Sequence, residues 1–377
     1  MSDYTFEISL SVLDHLGRNL YRSFATVLGE AISNSWDVDA ENVWIYIDKD
    51  TNSFCIKDDG IGMNSIDFQD KFLKIGYSKR KGGESKSEKD RPFIGRKGIG
   101  KLALLSCAER VHIISKTSDS EYVGGIIDNS GLDEAIVNDL TPDEYPLGDI
   151  NFTKFDTLSK NHDHGTIICF EGVKDGIRNS LGFLKKTIAL YFRFSLLDDE
   201  FNIYVDDEII TYENLKELAE HTQFVWRINE FEDPYITYLS ETLDSLLEPI
   251  QEITLDGNAK GFIASVDMPR NLKIRETEER VTIDLFVNGR LREKDLLKHI
   301  PTARITESYL YGQIHFDELD DDNVDRFTSS RESIVADDPL YKAFLASLRK
   351  LVLELADQWD SLRRNNKRDG DPENQTI

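Results

Sequence analysis

The spacing of apolar residues predicts alternating helices and strands in the first half of the chain. Within residues 22–38, Phe24, Val27, Leu28 and Ile32 recur at the spacing of a helix with one buried face. Residues 43–47 and 53–57 read as two strands, joined by the turn-forming residues 48–52. Further helices are predicted at 11–20, 65–74, 98–108 and 180–194, and further strands at 111–115, 122–127 and 166–171.

A second unit is predicted to begin near residue 197, after an acidic stretch. Strands are expected at 262–266, 281–287 and 309–316, and Asn288-Gly289 is a strong hairpin signal because both positions favour a positive φ. The last helix is expected over 340–364, with apolar residues repeating along one face. Residues 365–377 are polar and are predicted to be disordered.

Residues 76–97 interrupt this pattern. They are rich in Gly, Lys and Ser and have no periodicity, so they are predicted to form a long loop. Such loops inside a compact domain are usually functional or disordered.

The composition limits the classes of protein to which the chain can belong. Its 377 residues suggest two domains, and 45 Lys+Arg against 70 Asp+Glu give a net charge of −25. This acidity argues against a surface that grips nucleic-acid phosphate as a whole, although a local basic patch is compatible with it. No apolar run approaches the roughly 18 residues of a membrane helix, and no signal peptide is predicted. Cys55, Cys107 and Cys169 lie far apart, which predicts neither a disulfide framework nor a zinc site and suits a reducing cytoplasm.

The first run of chemical interest is EAISNSWD, residues 30–37, on the predicted helix. The spacing puts Glu30, Asn34 and Asp37 on one helical face. A carboxylate there can polarise a water for attack on phosphorus, and an amide oxygen four residues on can bind Mg²⁺, which prefers oxygen ligands. Taken alone, the pattern is more typical of a solvated polar face.

Two glycine-rich runs follow. DDGIGM, residues 58–63, comes directly after a strand, where glycines let the backbone approach a ligand and an acid can accept from an exocyclic amine. GRKGIGK, residues 95–101, opens a predicted helix whose first N–H groups favour phosphate. It nearly matches a P-loop, but Leu102 stands where the Mg²⁺-binding hydroxyl belongs and no buried strand precedes it, which argues against a P-loop. HDH, residues 162–164, lies in a polar loop without further ligands, so a metal site there is not favoured.

In their order and spacing these motifs resemble the GHKL ATPases. That superfamily holds DNA gyrase B subunits, the ninety-kilodalton heat-shock chaperones, histidine kinases and MutL. The resemblance covers about residues 5–172 and includes HGT, residues 164–166, which looks like the family's last adenine-side motif. The opening stretch, 6–39, is most similar to prokaryotic relatives of MORC ATPases. The resemblance implies an α+β fold that begins with a two-layer α/β (Bergerat) sandwich for nucleotide binding.

The resemblance also implies a role for each matching residue. Glu30 is expected to be the general base that orients the attacking water, and Asn34 to ligate Mg²⁺. Asp58 is expected to accept from the adenine amino group, with Thr166 sharing the bridging water. The other implied cofactor-binding residues are Asp37 in a more structural role, Gly60, Gly62 and Met63 around the adenine, Gly95, Gly98, Ile99, Gly100 and Lys101 around the phosphates, and Ser78 and Lys79 as a loosely matched lid pattern.

The second unit resembles the ribosomal-protein-S5-like transducer domain of MutL and its relatives at FVNGR, residues 286–290. SRE, residues 330–332, resembles a chaperone middle-domain motif whose arginine reaches the γ-phosphate. Arg331 is therefore an expected catalytic residue, which stabilises developing negative charge. MutL-type members use a transducer lysine instead, so Lys294 and Lys298 are alternatives.

Together these resemblances imply a nucleotide domain at 1–196 with a lid at 76–97, a transducer at 197–365 and a tail at 366–377. The expected cofactors are ATP and Mg²⁺, and the expected reaction is ATP hydrolysis in a homodimer that forms on ATP binding. DNA or a partner effector protein is the expected target, and no membrane is expected. Three outputs stay open: a DNA clamp in repair or phage defence, a chaperone-like machine, and an ATP-dependent dimerisation module without significant turnover.

Overall fold

The computed structural model describes residues 24–74, 77, 86–95, 107–129, 131–138, 147–173, 177, 180–192, 194–242, 246–274, 279–321, 324, 326–327 and 333–369. The helix predicted at 11–20 lies outside these residues, as does most of the one predicted at 98–108. Ala108, the described end of the latter segment, is the first residue of a strand, where the prediction has the end of a helix.

The first unit consists of helices and one sheet, largely at the positions that the apolar pattern predicts. The helices are α1 (Phe24–Trp36), α2 (Ser65–Asp67), which continues as a π-helical turn (Phe68–Phe72), and α3 (Leu132–Val137), with a 3₁₀ turn at Phe152–Phe155. The strands are β1 (Asn42–Asp48), β2 (Ser53–Asp58), β3 (Ala108–Lys116), β4 (Val123–Asp128), β5 (Gly165–Val173), β6 (Asn202–Val205) and β7 (Glu208–Ile209).

The first sheet has the strand order β4-β3-β5-β2-β1-β6-β7. All neighbours are antiparallel except β1 and β6, which are parallel. Because side chains alternate along a strand, Phe54 of β2 and Phe170 of β5 share one face, where their rings stack 4.2 Å apart. α1 buries Val27, Leu28 and Ile32. The sheet therefore brings the ends of β2 and β5, which carry the predicted motifs, side by side.

The opposite face of this sheet has a smaller core and a disulfide. Ile114, Phe155, Ile167 and Cys169 pack together there. Cys55 faces Cys169 across β2 and β5, and the two are joined although they are 114 residues apart in sequence. The prediction that the cysteines form no disulfide is wrong for this pair, because only the register of the strands brings the two thiols together. Cys107 is not part of this disulfide.

The second unit is built on a six-stranded sheet of order β12-β11-β13-β10-β8-β9. Its strands are β8 (Thr222–Ile228), β9 (Gln251–Ile253), β10 (Lys260–Val266), β11 (Ile283–Val287), β12 (Arg290–Glu293) and β13 (Leu310–His315). The helices, numbered along the chain, are α4 (Leu181–Tyr191), α5 (Phe194–Leu197), α6 (Lys216–Glu220), α7 (Pro234–Thr242) and α8 (Pro339–Asp369). Shorter 3₁₀ turns lie at Tyr212–Leu215, Pro269–Leu272, Leu296–His299, Ile305–Tyr309 and Asp317–Leu319.

The core of the second unit lies between its sheet and α8. Phe344, Leu348 and Leu355 of α8 belong to one buried cluster with Leu285 and Ile314 of the sheet. Asn288 and Gly289 have φ of 50° and 75°, as the predicted hairpin requires.

α8 runs through Asp369, so residues 365–369 are helical and the prediction of a disordered segment from there is wrong. The helix can continue because no Gly or Pro interrupts the sequence before Gly370. Residues 370–377 lie outside the described part of the chain.

The chain forms two compact units that interleave in sequence. The first comprises the described parts of Met1–Leu181 and Asp198–Ile210, and the second those of Gly182–Leu197 and Thr211–Ile377. Residues 198–210 fall with the first unit because β6 pairs with β1. The two sheets and their helices confirm the predicted α+β class, whereas the S5-like identity of the second unit stays a prediction. In the described part of the chain, no helix is both long and apolar enough to span a membrane.

Candidate active site

Asp58, the last residue of β2, is the centre of the predicted site. It is buried, and its carboxylate accepts three hydrogen bonds. Ser35 Oγ donates to Oδ2 at 3.1 Å, while the backbone N–H groups of Gly60 and Thr166 donate to Oδ1 at 3.0 and 3.2 Å. Burial raises the pKa of Asp58 to about 6, and the hydrogen bonds oppose that rise. At neutral pH the group is therefore a fixed, ionised acceptor.

Thr166 lies beside Asp58 and opposite Ser115, its register partner in β3. The hydroxyl oxygens of Ser115 and Thr166 are 3.0 Å apart. Ser115 Oγ also lies 2.9 Å from the carbonyl oxygen of Gly165 and 3.0 Å from the backbone nitrogen of Met63. The side chains of Ser35 and Ser115 were not predicted to act in the site; the only sequence signal for Ser115 was a hydroxyl at the end of an apolar strand.

The loop after Asp58 is held in place by its backbone. Gly62 has a φ of 67°, and a Cβ there would overlap the carbonyl oxygen of Lys116, so only glycine fits without strain. The backbone N–H of Met63 donates to Ser115 Oγ at 3.0 Å, which ties the end of DDGIGM to β3. The loop that carries Gly60, Gly62 and Met63 thus has a fixed position directly after Asp58. Its contact with adenine stays a prediction.

Two histidines also hold the backbone at Asp58 and Gly60. His162 Nε2 donates to the carbonyl oxygen of Asp58 at 2.8 Å, and His164 Nδ1 donates to that of Gly60 at 2.7 Å. Burial lowers the pKa of His162, so its ring is neutral at neutral pH. Its Nδ1 consequently accepts from the hydroxyl of Tyr122 at 2.9 Å. The HDH run therefore has a positioning role, which the sequence did not reveal.

α1 brings Glu30 and Asn34 to one helical face. Glu30 is buried, with 3% of its surface exposed, and Asn34 is half-buried one turn further on. The donor set suits Mg²⁺, which takes hard oxygen ligands and is commonly held by one or two protein side chains together with substrate phosphates. Asn34 supplies such an oxygen.

Asp37 lies just beyond the end of α1, which is at Trp36, and so is not on the helix itself. Its buried carboxylate accepts from the backbone N–H groups of Ile94 at 2.7 Å and Gly95 at 2.9 Å. A Cβ on Gly95 would approach Asp37 Oδ2 to 2.7 Å. Asp37 therefore fixes the first glycine of GRKGIGK and leaves no room for a side chain there.

Arg91 anchors the segment that leads to Gly95. Its guanidinium is buried 4.6 Å from the ring centre of Trp36 and 5.3 Å from that of Phe201. It donates to the carbonyl oxygens of Ala40 and Glu200. No sequence pattern singled out this residue.

Several predicted site residues lie outside the described part of the chain. They are Ser78, Lys79, Gly98, Ile99, Gly100, Lys101 and Arg331. The first unit contains these predicted site residues that the structure describes: Glu30, Asn34, Asp37, Asp58, Gly95 and Thr166.

Part of the chain matches a known protein family. Residues 21–166 match the sequence profile described as "Histidine kinase-, DNA gyrase B-, and HSP90-like ATPase". This stretch contains the Asp58 network, α1 and both glycine-rich runs. The match confirms the predicted GHKL resemblance.

Two kinds of relative differ in how much of the chain they match. A protein of Herpetosiphon aurantiacus, named as a candidate type II restriction enzyme (HgiDII), is 28% identical over 374 residues, which is 96% of this chain and 57% of that protein. The chaperone protein HtpG of Sulfurovum sp. (strain NBC37-1) is 36% identical over 107 residues, 27% of this chain and 17% of the chaperone. HtpG of Rickettsia akari (strain Hartford) is 33% identical over 103 residues, 26% of this chain and 16% of the chaperone. The chain thus spans little more than half the length of the first relative and under a fifth of the chaperones.

Proposed function

Because residues 21–166 belong to the histidine kinase-, DNA gyrase B- and HSP90-like ATPase family, we propose that this chain is an Mg²⁺-dependent ATPase that closes as a dimeric clamp on DNA. The observation that carries the proposal is the buried Asp58 carboxylate. It is ionised at neutral pH and bonded through Ser35 to α1, the helix that bears Glu30 and Asn34.

Asp58 accepts a hydrogen bond from the amino group of adenine. The three donors around it hold its oxygens in place before the ligand arrives, so little ordering is needed on binding. Thr166 lies beside it and shares the water that bridges to the base. Asp37 holds Gly95, the first residue of GRKGIGK. Backbone N–H groups of a glycine-rich run at the start of a helix are suited to bind phosphates.

Glu30 orients the water that attacks the γ-phosphate, and Asn34 is an oxygen ligand of Mg²⁺. When bound, Mg²⁺ neutralises charge on the phosphate oxygens. Because Glu30 acts on water and not on the nucleotide, Glu30→Gln should bind ATP with nearly wild-type affinity. Its turnover should fall by about 10²–10⁴-fold, the usual contribution of a positioned base.

A cation from the second unit completes the proposed chemistry. Arg331 is the first choice, by its resemblance to the chaperone motif, and Lys294 and Lys298 are the alternatives. Among the described residues, Lys294 lies 2.6 Å from a carboxylate oxygen of Glu279 and over the ring of Tyr191, and Lys298 lies 3.1 Å from Glu293. Turnover of Arg331→Ala, Lys294→Ala and Lys298→Ala at saturating ATP identifies the cation, because only its loss lowers turnover without weakening binding.

DNA is the proposed target because similarity to the protein named for DNA restriction extends over both units of this chain. The similarity to the chaperones is confined to about a quarter of the chain. The shared sequence in the second unit therefore favours a function in phage defence, in which the clamp acts on DNA directly or through a partner effector protein.

The test uses Glu30→Gln as a trap for the ATP-bound state. With ATP, this variant should form cross-linkable dimers and remain on circular DNA after a high-salt wash that removes electrostatically bound protein. Linearising the DNA should release it, since a closed clamp slides off a free end. Asp58→Asn, which cannot bind ATP, is the matched control. ATP-independent retention, or equal retention on linear and circular DNA, would reject the clamp.

A chaperone-like machine is the second candidate, favoured by the similarity of about a quarter of the chain to HtpG. It predicts ATP-dependent protection of an unfolded protein from aggregation and no dependence on DNA topology. A dimer that forms with ATP but shows no turnover in the wild-type chain would instead favour the dimerisation module.

A further inference from the structure

Ser115 is a fully buried hydroxyl at the point where three parts of the first unit meet. Its Oγ accepts from the backbone N–H of Met63, at the end of DDGIGM, and donates to the carbonyl oxygen of Gly165 on β5. It also lies 3.0 Å from Thr166 Oγ1. One side chain therefore joins the loop after Asp58 to the strand that carries Thr166.

We propose that Ser115 is a positioning residue for base recognition, which acts through Thr166 and Met63. This inference rests on the proposed ATP binding.

Strand register alone does not select the χ1 rotamer of Thr166. Thr166 is fixed by its backbone, whose N–H donates to Asp58 Oδ1 at 3.2 Å, but its hydroxyl can rotate about χ1 among three staggered positions. The hydrogen bond with Ser115 selects the one that places Oγ1 next to the serine. Without that partner, the Thr166 hydroxyl loses its fixed position beside Asp58.

Ser115 likewise fixes the loop that carries Gly60 and Gly62. Its hydrogen bond with Met63 joins the far end of DDGIGM to β3, where Gly62 also packs against the backbone of Lys116. A shift of this loop moves Gly60, whose N–H holds Asp58 Oδ1 at 3.0 Å. Ser115 is therefore connected to Asp58 in two ways, through Thr166 and through the loop that carries Gly60 and Gly62.

Ser115→Ala tests the inference because it removes the hydroxyl without adding volume. We expect the Kd for ATP to rise about tenfold, as for the loss of a hydrogen bond worth roughly 1–1.5 kcal/mol. Turnover at saturating ATP should stay within about twofold, because Ser115 acts on binding and not on the attacking water. The preference for ATP over ITP, which has a carbonyl in place of the amino group, should fall by a similar factor.

Ser115→Thr and Ser115→Val form a matched pair of nearly equal volume. If the hydroxyl matters, threonine should retain tighter ATP binding than valine. Ser265→Ala is the control for a generic buried serine, since Ser265 is fully buried in β10 of the other unit. It should leave the Kd for ATP and the ATP/ITP ratio unchanged.

A double-mutant cycle with Thr166→Val decides whether Ser115 acts through its neighbour. If it does, Ser115→Ala/Thr166→Val should bind ATP only slightly more weakly than Thr166→Val alone, so the two effects do not add. A lower melting temperature with an unchanged Kd and ATP/ITP ratio in Ser115→Ala would overturn the inference. Failure of the wild-type chain to bind ATP would instead overturn the proposed function.

Discussion

At the scale of single residues, Asp58 is a buried charge that works against the stability of the fold. Its pKa is about 6 in the folded chain against an ordinary 3.8, because burial disfavours the carboxylate. The difference corresponds to roughly 3 kcal/mol. Below pH 3.8 the group is protonated in the folded and unfolded states alike. Between 3.8 and 6 the folded state binds more protons, so the free energy of unfolding falls as pH rises, and above 6 the penalty is complete.

Asp58→Asn should therefore be at least as stable as the wild type at pH 7.5, while it loses ATP binding. The amide can keep the network intact: its Nδ2 donates to Ser35 Oγ, whose proton turns to the carbonyl oxygen of Ala31, 3.2 Å away. Melting temperatures measured from pH 4 to 7.5 check this: the melting temperature of the variant relative to the wild type should rise from pH 4 to about 6 and change little above it. A variant that is clearly less stable than the wild type at pH 7.5 would contradict it.

At the scale of elements, Asp37 couples the turn after α1 to the start of the glycine-rich phosphate run GRKGIGK. Its two oxygens accept the N–H groups of Ile94 and Gly95, and the carboxylate is buried. Asp37→Ala leaves two backbone donors without their acceptor, and a buried unsatisfied donor typically costs about 1–3 kcal/mol. The glycine run then loses its fixed starting point.

We expect Asp37→Ala to lower the melting temperature and to weaken ATP binding by at least about tenfold. Asp39→Ala is the matched control, since Asp39 also accepts from the same segment, at Ser87 Oγ and the N–H of Lys89, but at a more exposed site away from Gly95. It should affect ATP binding much less. Equal losses of affinity in the two variants would show that Asp37 has no special link to the phosphate run.

At the scale of the whole molecule, the disulfide joins two strands that are distant in sequence. Cys55 and Cys169 are separated by 114 residues, so the cross-link removes many conformations from the unfolded chain. Reduction, or Cys55→Ala/Cys169→Ala, should lower the free energy of unfolding by about 2–4 kcal/mol. Alkylation of the denatured, unreduced protein followed by mass spectrometry should label Cys107 alone. Labelling of all three cysteines would contradict the disulfide.

The two compact units also differ in what the sequence could reveal. The motifs of the first unit are local, so the pattern along the chain was enough to predict α1, β1 and β2. The roles of Glu30, Asn34 and Asp58 stay predictions. The start of the second unit was harder to predict from the sequence. β6 and β7 follow the acidic stretch, but they pair with the sheet of the first unit. Whether a strand pairs with a sheet formed more than 150 residues earlier depends on long-range packing and not on local pattern.

The amino-acid sequence by itself determined the α+β class, most strands, the hairpin at Asn288-Gly289 and the family-specific motifs, because each depends on residue type at short spacing. Only the tertiary structure decided that Ser115 meets Thr166 and Met63, that His162 holds the carbonyl of Asp58, and that Cys55 pairs with Cys169. These contacts link positions about 50 to more than 100 residues apart. They exist because strand register and burial align the groups, and neither can be read from the neighbours of a residue along the chain.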